Sequence, residues 1–142
     1  MKIDYKKIKK RIMVDMSVTI LHYGHIRLLK KAAAYGDVIV GLSSDKDIKK
    51  FKGYTPELNY AQRKEIVSSI KYVKEVVRVH FHVNKEDLKK NKIDLLIHGN
   101  DLKNIVDKKK VKILKRTKNI SSSEMRKKSY LIYKFLNKND KN

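Results

Sequence analysis

The sequence predicts an α/β domain built on a mainly parallel sheet of five strands, with helices on both faces. Short apolar, β-branched runs at 12–16, 37–42, 75–80, 93–98 and 111–115 alternate with helix-like runs at 25–35, 45–50, 59–70, 86–91 and 121–136. Strand–helix alternation of this kind produces parallel pairing through right-handed crossovers. The chain has 142 residues, 41% of them hydrophobic, which suits one core and is too apolar for a disordered chain. The polar, glycine-bearing loops follow the first, fourth and fifth strands, so they share one sheet edge, where such sheets bind ligands. A single domain, 1–142, is therefore expected. Its core covers about 11–128, with a basic N-terminal arm at 1–10 and a C-terminal helix and frayed tail at 129–142.

Each element has a local reason. The first strand, Ile-Met-Val-Asp-Met at 12–16, is expected to be buried on both faces. The following helix repeats Ile26, Leu29, Ala32 and Ala33 at helical spacing, and Gly36 stands where a C′ glycine would end it. The run at 37–42 is too short and too β-branched for a helix. Ser43-Ser44-Asp45 offers a cap for a short helix through Lys50. Residues 49–56, with the only proline, read as a mobile basic loop. His80, Phe81 and His82 end the third strand and read as a packed or exposed edge, because acidic and Cys ligands for a metal are lacking. Lys108, Lys109 and Lys110 read as a solvated turn. Ser121 with Glu124 three residues on is a capping box for the last helix, expected to run to about Leu136.

Charge and cysteine content narrow the partners. There are 36 Lys+Arg against 15 Asp+Glu, a net charge of +21, which favours polyanionic partners. The lysines are spread along the chain instead of clustering on one face. Weak, salt-dependent adhesion to nucleic acid is expected, and specific nucleic-acid binding is not. With no Cys there is neither a disulfide nor a thiol nucleophile, which fits a cytoplasmic protein. No apolar run approaches a membrane span, and residues 1–7 carry no apolar signal segment, so no membrane insertion is expected.

The chemistry concentrates at Leu21-His22-Tyr23-Gly24-His25-Ile26. His22 and His25 fall on one face of a first helical turn, beside unpaired N–H groups and the positive end of the helix dipole. This is an anion site, most often for phosphate. Imidazole donors placed there can stabilise charge that grows on a phosphate in a transition state. Set against this is the plain reading of each histidine as a cap or a packed side chain. Zinc is not expected, since no third ligand lies nearby with metal spacing, and no metal ligand is assigned to the chain.

These residues carry a resemblance. The His-x-Gly-His turn, the Gly-x-Asp at 99–101 and the run Arg116-Thr117-Lys118-Asn119-Ile120-Ser121-Ser122-Ser123 resemble the nucleotidyltransferase superfamily, in its order and over roughly residues 11–128. Within it the chain is similar to the small cytidylyltransferases of the glycerol-3-phosphate type. The stretches 14–18, 36–42 and 59–64 resemble a branch linked with phosphonate and surface-polysaccharide chemistry. The resemblance implies a Rossmann-like fold, CTP as substrate, Mg²⁺ as divalent ion, a small phosphate- or phosphonate-bearing alcohol as acceptor, and a homodimer. It implies that His22 and His25 contact the reacting phosphates, and that Lys52 reaches them or the second substrate. Arg63 would be structural or near the acceptor. Ser17, Val18, Gly24, Gly99, Asp101, Arg116, Thr117, Ile120, Ser121 and Ser122 would contact the nucleotide, Arg116 also acting in catalysis. The chain departs from the family where Met16-Ser17-Val18-Thr19 replaces Gly-Thr-Phe-Asp, so an acid is missing at Thr19. Asn119 replaces a common glycine and tolerates a left-handed backbone, and Asn100 replaces a common Asp.

The reaction so implied is attack of a phosphate or phosphonate oxygen on the α-phosphorus of CTP, releasing pyrophosphate. It needs no protein nucleophile. The alternatives are an adenylyltransferase acting on a sugar phosphate or flavin precursor, a nucleotide-binding protein that has lost catalysis, as Thr19 would suggest, and a basic nucleic-acid-binding domain.

Overall fold

The computed structural model describes residues 9–99 and 106–139. Five strands, β1 (Arg11–Met16), β2 (Asp37–Ser43), β3 (Val73–Val79), β4 (Leu95–His98) and β5 (Val111–Ile113), form one sheet in the order β3-β2-β1-β4-β5. Every adjacent pair is parallel. The helices are α1 (Tyr23–Ala32), α2 (Asp45–Lys52), α3 (Tyr60–Ser68), α4 (Lys85–Lys90) and α5 (Ser122–Asn139).

Alternation along the strands divides the core in two. Ile12, Val14, Val38, Val40, Leu42 and Ile97 point to one face, where Leu29 and Ala32 of α1 and Val67 of α3 cover them. Met13, Ile39, Val79 and Leu96 point to the other, under Leu88 of α4 and Val83 and Ile93 from its flanks. Both faces are thus covered by helix, as the alternation of the sequence predicts; β2 is buried almost throughout, and β1 at Ile12, Met13 and Val14. Chain order reverses at β1, with β2 on one side and β4 on the other. The cleft lies at the carboxyl end of this switch point.

Several boundaries differ from expectation. α1 ends at Ala32 with Ala33 as its C-cap, so Gly36 does not serve as the C′ residue. A Cβ at Gly36 would stand 2.1 Å from the Lys10 carbonyl oxygen. That carbonyl accepts the Asp37 N–H at 2.8 Å, so glycine is required by the close approach of two chain segments. Part of the segment read as a basic loop is helical: α2 continues through Lys52, and Gly53 caps it in the left-handed conformation. Ser44 Oγ accepts the Asp47 N–H at 3.1 Å, as its cap position predicts. Asp45 and Asp47 in the first turn and Lys49, Lys50 and Lys52 in the last complement the dipole. β4 begins two residues later than the apolar run, because Lys92 turns at φ 54° and Ile93 N–H still bonds back to Leu88 O of α4 at 2.8 Å. α5 extends past Leu136 to Asn139. No helix among the described residues is long and apolar enough to cross a membrane.

Candidate active site

A cleft of about 430 Å³ opens at the carboxyl end of β1 and β4, within the range of small-molecule sites. Its floor is the turn leaving β1, with Ser17 and Val18, and the first turn of α1, with His22, Gly24 and His25. Lys52 enters from the end of α2, and Gly99 from the end of β4. Arg116, Thr117, Ile120, Ser121 and Ser122 close the far side. Twelve of the predicted site residues therefore converge on one crevice.

The two histidines are caps and remain available as donors. His22 N-caps α1: its Nδ1 accepts the Gly24 N–H at 3.1 Å. His25 reaches back, its Nδ1 accepting the His22 N–H at 3.2 Å. An imidazole nitrogen that accepts cannot also carry the proton, so both neutral rings hold their proton on Nε2. The capping role set against the catalytic one in the sequence is thus the device that fixes the tautomer. The ring centroids are 3.9 Å apart. Burial lowers both histidines from the ordinary value. His25 is brought to about 4, by burial first and then by the neighbouring His22 and the charges of Arg116 and Lys52. The site therefore presents two uncharged Nε2–H donors at neutral pH. Gly24 is required for space, because a Cβ there would lie 2.9 Å from the His22 ring and 3.1 Å from Ile120.

This yields an expectation for pH. The unfolded chain takes up a proton at His25 near pH 6.5, while the folded chain does so only near 4. Between those values the unfolded state binds more protons, so stability falls as pH drops through that window. Denaturant unfolding should show wild type losing stability relative to His25→Gln between pH 6.5 and about 4, and NMR titration should place the His25 midpoint near the lower value.

Two cations line the cleft, Lys52 at the end of α2 and Arg116 in the segment after β5. Burial lowers Lys52, Tyr54 opposes this, and Arg116, Arg126 and Arg63 lower it further. Arg116 lies over the backbone of Gly99, where a Cβ would meet its Nε at 2.8 Å. At the start of α5, Ser121 Oγ accepts the Glu124 N–H at 3.1 Å, the cap expected from the sequence. Ser122 Oγ donates to Ile20 O at 2.8 Å, fastening α5 to the turn before His22. Asn119 sits at φ 61°, the left-handed conformation its type tolerates.

Other expectations resolve differently. Arg63 does not line the cleft. It is buried, and its guanidinium donates to Leu58 O, Ser17 O, Ser43 O and Asp45 Oδ1 at 2.6–3.1 Å, so it braces the turn after β1. Asp101 lies outside the described residues. His80 pairs with Asp87, both carboxylate oxygens at 3.1 Å from its Nδ1, which agrees with an edge role. Among the described residues no group of three or more His, Asp or Glu is disposed to hold a metal ion.

Some site residues were not legible beforehand. Asp15 Oδ1 and His98 Nδ1 lie 2.6 Å apart inside the cleft. The available signals were a lone acid within an apolar strand and a histidine at the end of another. Their pairing is a matter of β1–β4 register, which sequence does not display. Tyr54 and His82 also line the cleft. Thr19 is buried and accepts from Tyr54 OH at 3.3 Å and Arg126 Nη2 at 3.4 Å, and Arg126 is in turn paired with Glu57.

The model of the cytidylyltransferase-like family matches residues 19–128. The chain belongs to the cytidylyltransferase-like family. It is 37% identical over 129 residues to a glycerol-3-phosphate cytidylyltransferase of Staphylococcus aureus, covering 85% of this chain and 96% of that one. It is 39% identical over 99 residues to an ethanolamine-phosphate cytidylyltransferase of mouse, 68% of this chain but 24% of that protein. A lipopolysaccharide core biosynthesis protein from Thermoplasma volcanium shares the fold, with a TM-score of 0.64 and 24% identity over 79% of this chain and 99% of that one. In this cytidylyltransferase-like chain the matched segment contains His22, His25 and the whole of 116–123.

Proposed function

We propose that the chain transfers CMP from CTP to a small phosphate- or phosphonate-bearing alcohol, releasing pyrophosphate. The observation that carries this reading is the pair of neutral imidazoles, each locked with its proton on Nε2, at a helix N-terminus facing Lys52 and Arg116. An acceptor oxygen forms a bond to the α-phosphorus while the bond to the pyrophosphate oxygen breaks. No bond to the protein forms. His22 and His25 donate to the oxygens of the pentacoordinate phosphorus, where charge is concentrated in the transition state. Lys52 and Arg116 offset charge on the reacting phosphates, and the free N–H groups opening α5 offer a second phosphate seat. The family's Mg²⁺ enters this reading as a counter-ion of CTP, because the described side chains form no cage for it. Asp15, which pairs with His98 within the cleft, is an acceptor suited to a hydroxyl or ammonium group on the second substrate. The absence of Cys accords with a reducing compartment, and the reading places the reaction in the cytoplasm. The homodimer implied by resemblance is part of the proposal and is testable by sedimentation equilibrium.

Pyrophosphate release by purified protein decides the reading, with CTP and ATP each offered with Mg²⁺ and with glycerol 3-phosphate, phosphoethanolamine, phosphocholine and aminoethylphosphonate. Release with CTP and one acceptor is the expected result. Release with ATP alone would move the assignment to adenylyl transfer. No release with any pair, beside CTP binding by calorimetry, would mark a binding protein that has lost catalysis.

A further inference from the structure

The distal half of α5 is an amphipathic helix on which nothing among the described residues packs. From Lys127 to Lys138 every residue is exposed, and Tyr130, Leu131, Ile132, Tyr133, Phe135 and Leu136 are each more than half accessible. Single exposed apolar residues are ordinary, but a contiguous set is not. Helical spacing sorts them: Leu131 with Phe135 and Ile132 with Leu136 are one turn apart and form a single apolar stripe. Lys127, Lys134 and Lys138 fall together along its border, and Lys128 stands at its near end. Among the described residues, the ties between this helix and the body belong to its first two turns, through Ser122 and Arg126. The family model ends at residue 128, so the stripe is a feature of this chain beyond the matched domain.

We propose that this half of α5 docks on an anionic lipid surface, lying in the interface with its apolar stripe in the acyl boundary and its lysines among acidic headgroups. Charge selects the occupant. Residues 127–138 carry four lysines and no acid, on a chain of net charge +21. A second copy would bring these lysines against their like, with no carboxylate on the stripe to pair them. An anionic bilayer complements both halves of the pattern: apolar area supplies burial, and lysines supply attraction that salt weakens. Tyr130, Tyr133 and Phe135 are of the type that settles at headgroup depth. The helix lies on the surface and does not span it, in keeping with its length and charge. The inference does not depend on what the cleft binds.

The test is co-sedimentation of the full chain with vesicles of phosphatidylcholine alone or with one third phosphatidylglycerol, at low and high salt. Wild type should bind the anionic vesicles, more weakly in high salt, and leave the neutral ones. The pair Ile132→Gln and Phe135→Gln keeps the charge and helix propensity. It should lower partitioning by at least about tenfold, the scale expected for withdrawing two large apolar side chains, with circular dichroism unchanged. If the pair lowers helicity, Phe135→Gln alone should reduce partitioning in the same direction. Absence of wild-type binding would overturn the proposal, as would binding that the glutamine variants leave untouched, which is adsorption by charge alone. A concentration-dependent dimer abolished by the pair, without vesicle binding, would give the stripe to a second copy instead.

Discussion

His22→Ala is expected to lower kcat for CMP transfer by about 10²–10³, the scale for losing one pre-placed donor to a transition state, with a smaller change in KM for CTP. The split between kcat and KM follows from geometry. His22 adds no charge to the cleft at neutral pH, so its removal leaves ground-state attraction for the triphosphate with Lys52, Arg116 and the backbone N–H groups. What is lost is a fixed Nε2–H aimed where charge develops. Two effects combine in this variant, since His22 Nδ1 is also the cap acceptor of Gly24 N–H. His22→Asn separates them. Asn is a good N-cap and should hold α1, but its amide cannot reproduce the imidazole's reach. Circular dichroism should therefore be preserved while kcat stays low. A fall of less than threefold in His22→Ala, measured by pyrophosphate release, would remove the histidine from the chemistry and leave it as a cap.

The legibility of this molecule follows the range of the interactions involved. The sheet and the covering of both its faces could be read from 12–16, 37–42 and the helix-like runs between them, because strand and helix periods are local properties. The convergence of the His22 turn with 116–123 was also legible, because parallel topology sends all strand-following loops to one edge. Side-chain partnerships were not. Gly36 reads as a helix stop in one dimension, and only the approach of Lys10 O shows what it is for. Asp15 and His98 are separated by 83 residues and meet through strand register. Thr19, read as a missing acid, is held by Tyr54 and Arg126. The two-residue extension of α2, which moves Lys52 from a loop onto a helix end, accords with charge complementary to the dipole, a small effect that a periodicity of apolar residues does not register.

Arg63→Met is expected to destabilise the fold by about 3–5 kcal/mol, the scale for leaving several buried or part-buried acceptors without their donor. The Arg63 side chain is 0% exposed, whereas its partner Asp45 is 37% exposed, so the larger share of the loss comes from three carbonyls left without a donor. One of them, Ser17 O at 2.6 Å, belongs to the residue before Val18. Val18 is held at φ 46°, where a β-branched side chain is strained. The bond to Ser17 O restrains that turn, which leads directly to His22. Urea unfolding should show a lower midpoint with an unchanged slope. Arg63→Lys should recover only part of the loss, since an ammonium cannot serve a planar set of four acceptors. Folded enzyme retained at low temperature should show a reduced kcat through the displaced turn, with KM for the acceptor little changed. A raised acceptor KM with stability intact would return Arg63 to the substrate-binding role that its place in the sequence suggests.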